Sequence, residues 1–449
     1  VRTVKFNKYQ EAFLPKMPAH WSMKTIGELV DFSGGSQPPR STFKFSPLEG
    51  YVRLIQIRDY KSSKHATYIP ANSTNKFCDV DDVMIGRYGP PNFQILRGLK
   101  GAYNVALIKA IPNEELEKDY LFYYLKQQHL FEFIDVRAQR SAGQDGIEMD
   151  ELRAYPFPLP PIEERRTIVA ILSSFDRSIE FMTALITAKQ RCRKAYEQQL
   201  LTGIVRYKEF VTSSDTQSSH ALSTPFDWSV VPIEEFANEV SMKAVNNQPR
   251  AILSCTKYDG LVDSLEYFGR RVYSDDTSNY KLVKRGQFAY ATNHIEEGSI
   301  GFLKHRDEGL VSPMYTVFEV SGDVIPEYLF SLFKSDRYLH LFRAMTNGSV
   351  NRRGGLRWSD FKTIKVALPS KAEQLRIVEL LKLIDHEIVL LKKLKQTTEK
   401  QKRGIMERLL TGEVTIPSDF VERLNAEVEQ DEQKNIKAEA SAKSNGRKQ

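Results

Sequence analysis

Cysteine is scarce in this chain: three in 449 residues, Cys78, Cys192 and Cys255, far apart and without a CxxC pair. They spell neither a zinc knuckle nor a disulfide framework, so a reducing compartment, the cytoplasm, is the expected location. No apolar run reaches the roughly 18 residues of a membrane-crossing helix, and the opening VRTVKFNKYQ lacks the apolar core of a secretory leader. No membrane association is expected. Catalytic signatures are missing too: there is no GxxxxGK followed by Ser or Thr, no GxGxxG, no HExxH and no GxSxG, and the eight histidines make no close pair with metal-ligand spacing. Residues 89–93, GPPNF, hold the components of an Asn-Pro-Pro-aromatic methyltransferase motif in the wrong order and read as a loop. The sequence predicts no catalytic site, no metal and no cofactor in this chain.

What is present is size, positive charge and a repeat. Domains of about 100 to 200 residues each predict two to four of them, and 41% apolar with 27% charged residues is a globular composition. The formal charge is +7 and the pI near 9.0, a balance that favours a polyanionic partner.

The repeat organises everything else. PLPPIEERRTIVAILSSFDRSIEFMTALITAKQRCRKAYEQQLLTG, residues 158–203, returns without a gap 209 positions later as ALPSKAEQLRIVELLKLIDHEIVLLKKLKQTTEKQKRGIMERLLTG, residues 367–412. Asp176 answers Asp385, and LLTG at 200–203 answers LLTG at 409–412. Prolines followed by Glu163 and Glu164 mark a helix start, where acids face unpaired amides. Ile168, Leu172, Phe175, Ile179, Met182 and Ile186 then recur at alternating spacings of four and three, a coiled-coil seam, and the second copy places Ile377, Leu381, Ile384, Ile388 and Leu391 in the same phase. A helix of about 40 residues runs about 60 Å, too long for a compact domain to cover. The two rods are expected to cover each other. In both copies the seam turns polar at one place, Lys189 and Arg193 in the first, Lys395, Thr398 and Lys402 in the second.

Residues 1–157, with an N-terminal segment 1–18 ending in prolines, read as the first domain. It shows β-type runs at 51–57, 66–69, 82–89 and 102–111, then helical character over 114–134 with Leu116, Tyr120, Tyr123, Tyr124 and Leu130 on one face. Residues 158–211 are the first rod, 212–224 a Ser/Thr-rich linker, 225–366 a second domain, 367–415 the second rod and 416–449 a charged, partly disordered tail. The second domain echoes the first: Trp228 answers Trp21, Ile233 answers Ile26, YLF at 328–330 answers YLF at 120–122, and Gly355 answers Gly146. The expected fold is α+β: two tandem globular α+β domains separated by two long helices that pair as an antiparallel coiled coil. Pseudo-two-fold symmetry follows, since two like copies in one chain can close as identical subunits do.

Cations for phosphates, with planar amides and rings for base edges, are what sequence reading of a nucleic acid requires. Loops of the first domain supply Arg58, Lys61, Arg87, Tyr88, Asn92, Arg140 and Gln144, and those of the second Lys257, Tyr258, Arg270, Arg271, Asn293, His294, Asn351, Arg352 and Arg353. The densest stretch is NGSVNRRGG at 347–355, where glycines allow close backbone approach beside two arginines and two asparagines.

This layout resembles the specificity subunits of Type I restriction-modification systems. The resemblance rests on the PLPP and ALPS leads with Glu164 and Glu373, the Ile-Val pairs at 168–169 and 377–378, the two LLTG ends, and the order of domains and rods from Trp21 to Gly412. It implies that each domain is a target recognition domain reading one half of a split double-stranded DNA site, asymmetric because the two domain sequences differ. It further implies rods that set the gap between half-sites and dock two methyltransferase subunits, which restriction and translocase subunits join. S-adenosylmethionine, ATP and Mg would belong to those partners, and this chain would be no enzyme. Two alternatives stay open on the residues: a self-contained DNA methyltransferase or nuclease with an unrecognised site, and a coiled-coil adaptor that binds proteins only. The polar phase reads either as rods opening toward partner helices or the DNA backbone, or as a layer that fixes register.

Overall fold

The structure is a computed structural model that describes residues 17–89, 91–138, 147–212, 216–219, 222–243, 250–348, 355–417 and 419–423. The chain packs as two units, Val1–Met182 with Leu394–Gln449, and Thr183–Lys393. Each unit therefore holds one domain and a part of each rod.

In the first unit, Ser22–Thr25 pairs antiparallel with Pro156–Leu159, so the strand that opens the domain lies beside the strand that leads into the first rod. Between them an antiparallel sheet runs in the order Val30–Gly34, Leu107–Pro112, Val83–Gly86, Gln94–Leu96. A second sheet orders Thr67–Pro70, Tyr51–Ile55, Gly101–Tyr103 and Phe77–Cys78. The run expected over 102–111 is thus two strands in two sheets, divided at Asn104, whose side chain accepts a bond from Ala106 N at 3.2 Å. The single helical stretch expected over 114–134 is likewise two helices, Lys118–Leu125 and Gln128–Ala138. The break has a local cause: the Gln127 side chain donates to Tyr124 O at 3.1 Å, and Glu407 of the second rod accepts from Gln128 N at 2.6 Å, starting a new helix there. All six residues 120–125 are buried, more than one face, because this helix is covered on several sides.

The second unit repeats the plan. Ser229–Pro232 pairs with Lys365–Leu368, and the antiparallel sheet orders Ala237–Val240, Tyr315–Val320, Phe288–Ala291 and Ile300–Phe302. Within the Ser/Thr-rich linker, Thr216–Ser219 pairs with Leu222–Pro225, so the segment contains a hairpin. The N-terminal segment to residue 16 and the tail from 424 lie outside the described residues.

The rods are Ile162–Leu201 and Lys371–Leu410, 40 residues each. Within each unit they run antiparallel. In the first, Ile168 and Leu172 share a core with Met406, Leu409 and Leu410; in the second, Ile377 and Leu381 share one with Leu200 and Leu201, while Ile186 meets Ile384 and Ile388. Met182 is buried, and Phe175, Ile179 and Leu391 are half-buried, as the seam requires. The C-terminal end of each rod therefore enters the core of the domain that belongs to the other copy, which the repeat alone did not reveal.

Within each unit the polar phase carries ion pairs between the rods, which favours the register-layer reading over rods that open there. Lys402 Nζ lies 2.5 Å from Asp176 Oδ1, and Tyr123 donates to Asp176 Oδ2 at 2.8 Å. Arg193 grips Asp385 with two bonds of 3.0 and 3.3 Å, and Lys189 reaches Glu387 at 2.7 Å. Asp176 and Asp385 are equivalent in the repeat, as are Arg193 and Lys402. One ion pair thus forms twice, once in each unit, with the rods exchanging roles.

Anchors fix each rod to its own domain. Arg165 donates to Glu117 at 2.7 and 3.1 Å, to Pro160 O at 2.6 Å and to Glu115 O at 2.9 Å. Its counterpart Gln374 accepts from Ile325 N at 2.9 Å and donates to Asp323 O at 3.1 Å and Pro369 O at 2.9 Å. Both rods end on a left-handed glycine, Gly203 at φ 73° and Gly412 at φ 74°, which releases the chain from the helix without a Cβ clash. A Cβ on Gly203 would stand 2.5 Å from Pro225 Cδ, and one on Gly412 2.3 Å from Pro18 Cδ. Gly412→Ala and Gly203→Ala are each expected to destabilise their own unit by about 2 kcal/mol, from strained φ plus overlap; urea titration followed by tryptophan fluorescence, with Trp21 and Trp228 beside the two sites, reads the loss.

Candidate nucleic-acid interface

In the first domain the described candidates fall on two touching turns. Arg58 and Lys61 are exposed on and just after the short turn Ile57–Tyr60, and Arg58 donates to His65 O at 3.4 Å. Arg87, Tyr88 and Asn92 sit between the strands Val83–Gly86 and Gln94–Leu96, with the Arg87 guanidinium 5.4 Å from the Tyr88 ring centre. Gly86 joins the two turns: a Cβ there would lie 3.1 Å from Ile57 Cδ1. The hairpin carries strain, because Phe93, buried at 3%, holds φ 57°, the left-handed region that a bulky residue avoids. Arg140 and Gln144 lie outside the described residues.

The second domain uses different strands to the same end. Lys257 and Tyr258 form the turn between Leu253–Thr256 and Gly260–Asp263, with Tyr258 76% exposed. Asn293 and His294 are exposed on the turn after Phe288–Ala291. These turns also touch: a Cβ on Gly298 would lie 3.3 Å from Lys257 O. Asn351, Arg352 and Arg353 lie outside the described residues; a little further on, the Leu356 N–H donates to Thr292 O at 2.9 Å, next to Asn293. Arg270 and Arg271 are exposed on a separate turn, where Arg271 is paired with Asp275 and donates to Ser274 O at 3.0 Å.

Sequence reasoning did not single out Lys304, His305 and Arg306, two cations flanking a histidine, which line a cleft of about 1020 Å³ together with Tyr258. Their adjacency in the sequence was the available signal. His294, Glu296 and Glu297 bring their ligand atoms within 4.8 Å of one another, with His294 and Glu297 exposed and Glu296 half-buried, and such acidic groups are common without an ion. Among the described residues, no helix is long and apolar enough to cross a membrane.

Two α+β domains with exposed turns of cations, amides and rings, carried on paired helical rods, define a two-domain DNA-recognition chain. It belongs to the family of Type I restriction modification DNA specificity domains, which matches it twice, over residues 18–188 and 225–400. That makes it a specificity subunit, in which two domains recognise the DNA target. It is 25% identical over 432 residues to the Type I restriction enzyme MjaVIII specificity subunit of Methanocaldococcus jannaschii, a match covering 92% of this chain and 97% of that one. Its fold is similar to a chain solved in a study of complex assembly and conformational transition of the Type I system, with a TM-score of 0.52 at 13% identity, covering 89% of this chain and 100% of that one. The Type I S subunit from M. genitalium aligns with a TM-score of 0.47 at 16% identity, over 88% of this chain and 97% of its own.

Proposed function

We propose that this chain is the non-catalytic, cytoplasmic reader of an asymmetric bipartite DNA site, with residues 1–157 and 225–366 as separate target recognition domains and the rods as the spacer between half-sites. What supports this most directly is that each domain brings described candidates onto two touching turns, Arg58 and Lys61 beside Arg87, Tyr88 and Asn92, and Lys257 and Tyr258 beside Asn293 and His294, with Arg270 and Arg271 set apart from them. Such a surface combines phosphate-binding charge with groups that grip base edges. Methyltransferase and restriction subunits supply the chemistry. Exposed apolar side chains on the rods, Phe181 on the first and Leu383, Val389 and Leu390 on the second, offer partner helices a surface.

The complex with its methyltransferase partner is expected to protect a bipartite site with unequal halves; equal affinity for all sequences at one salt concentration would overturn the reading. Arg352→Ala with Arg353→Ala is expected to weaken or relax one half-site by about tenfold or more, while the other keeps its bases. Symmetric loss at both halves argues against separate readers. Methyl transfer or cleavage by the isolated chain would favour a self-contained enzyme instead.

A further inference from the structure

The last residue of the helix Pro326–Lys334 points its ammonium at three backbone carbonyls. Lys334 Nζ donates to Thr256 O at 2.9 Å, Lys257 O at 2.9 Å and Gly298 O at 2.5 Å. An ammonium has three N–H donors and no acceptor, so this geometry uses all of them.

The three carbonyls come from two turns. Thr256 and Lys257 lead into the turn tipped by Tyr258, and Gly298, at φ 94°, closes the short turn Ile295–Glu297 that follows Asn293 and His294. Carbonyl oxygens converging on one point repel each other unless a cation sits among them, and a charged donor makes each bond stronger than a neutral one would. Two further contacts brace the same junction. Ser299 Oγ donates to Cys255 O at 3.0 Å, and Phe330, four residues before Lys334 on the same helical face, packs on the Phe302 ring at 5.6 Å between centres and lies close against Gly260, where a Cβ would be 3.1 Å from its ring. Burial pushes the Lys334 ammonium down to about 8, which fits a junction shielded from water.

The first domain does not repeat the device. In the matched YLF stretches Lys126 stands where Lys334 does, and both ammonium groups lie over the equivalent ring, Lys126 at 4.5 Å from the Phe122 centre and Lys334 at 5.4 Å from that of Phe330; among the described contacts the three carbonyl bonds belong to Lys334.

We propose that Lys334 is a positioning residue for sequence reading: its ammonium locks the Lys257–Tyr258 turn to the Asn293–His294 turn, so that the second domain meets DNA with one fixed surface. This rests on the second domain being a DNA reader. The test is methylome sequencing of cells carrying the complete system with Lys334→Met or Lys334→Arg, alongside co-purification of the complex. Lys334→Met is expected to lower discrimination at one half-site about tenfold, the scale of a mismatched base pair, with the other half-site and assembly unchanged. Lys334→Arg keeps the charge but spreads its N–H groups in a plane, so it should show a smaller loss at the same half-site; it carries the test alone if the Met variant does not fold. Wild-type discrimination at both half-sites in a folded variant overturns the proposal, and so does equal loss at both, which would mark a merely structural lysine. A wild-type complex without a bipartite site would defeat the DNA-reading assignment itself, before either variant is compared.

Discussion

Four helical residues inserted after Met182 and again after Lys393 are expected to lengthen the gap in the DNA target and leave the bases of both half-sites unchanged. These two points are where the chain divides between its units. Insertions there leave intact the pairing of 162–182 with 394–410 in the first unit and of 183–201 with 371–393 in the second. Lengthening only one rod would instead displace seam residues such as Ile384 and Ile388 from Ile186. Four residues add about 6 Å of rise and turn the helix about 40° beyond a full revolution. One base pair is about 3.4 Å and about 34° of twist at 10 to 10.5 pairs per turn. Rise alone gives about two added base pairs and rotation about one, so the gap should grow by one or two. Methylome sequencing reads it directly, and an unchanged gap in an active complex rejects the rods as a spacer.

Reversing one charge in the polar phase is expected to destabilise the first unit. Lys402 is 12% exposed at its side chain and Asp176 35%. Lys402→Glu would therefore set two carboxylates together at a site only partly open to water, where like charges are incompletely screened. The expected loss in the first unit is about 3 kcal/mol, a fall in melting temperature of roughly 6 to 12 °C. Adding Asp176→Lys should recover about half of it, because the pair is restored with the rods' roles exchanged. The second unit supplies the precedent for such an exchange, with Arg193 on the first rod and Asp385 on the second. A double-mutant cycle by thermal melting measures the coupling, and purely additive losses would show that the pair does not fix register.

Much of this was legible because it is written locally. The seam from Ile168 to Ile186 and its copy from Ile377 announce themselves by spacing alone, since a heptad is a property of one linear stretch. The Pro and Glu starts and the glycine ends of the rods are local signals of the same kind. The polar phase was visible too, but not its meaning: Lys402 gives no hint in sequence that its partner is Asp176, 226 positions away. The helix over 114–134 was misjudged for the same reason, because the acid that starts its second half, Glu407, comes from the other rod.

For the proposed DNA-reading surface, residue type suggested the candidates and packing places them on particular turns. Arg87, Tyr88 and Asn92 were neighbours in sequence, but their union with Arg58 depends on Ile57 lying against Gly86. Arg270 and Arg271 looked equal to the rest, and the fold placed them on a turn of their own, with Arg271 engaged by Asp275. Sequence by itself determined the duplication, the two rods, their seam and the split into two recognition domains, because periodicity and order survive in a linear string. Only the tertiary structure decided that each rod ends in the core of the other copy's domain, that the charges interlock reciprocally, and that Lys334 holds two turns together. Those contacts join residues distant in the chain, and backbone carbonyls, which every residue carries, leave no mark in a sequence.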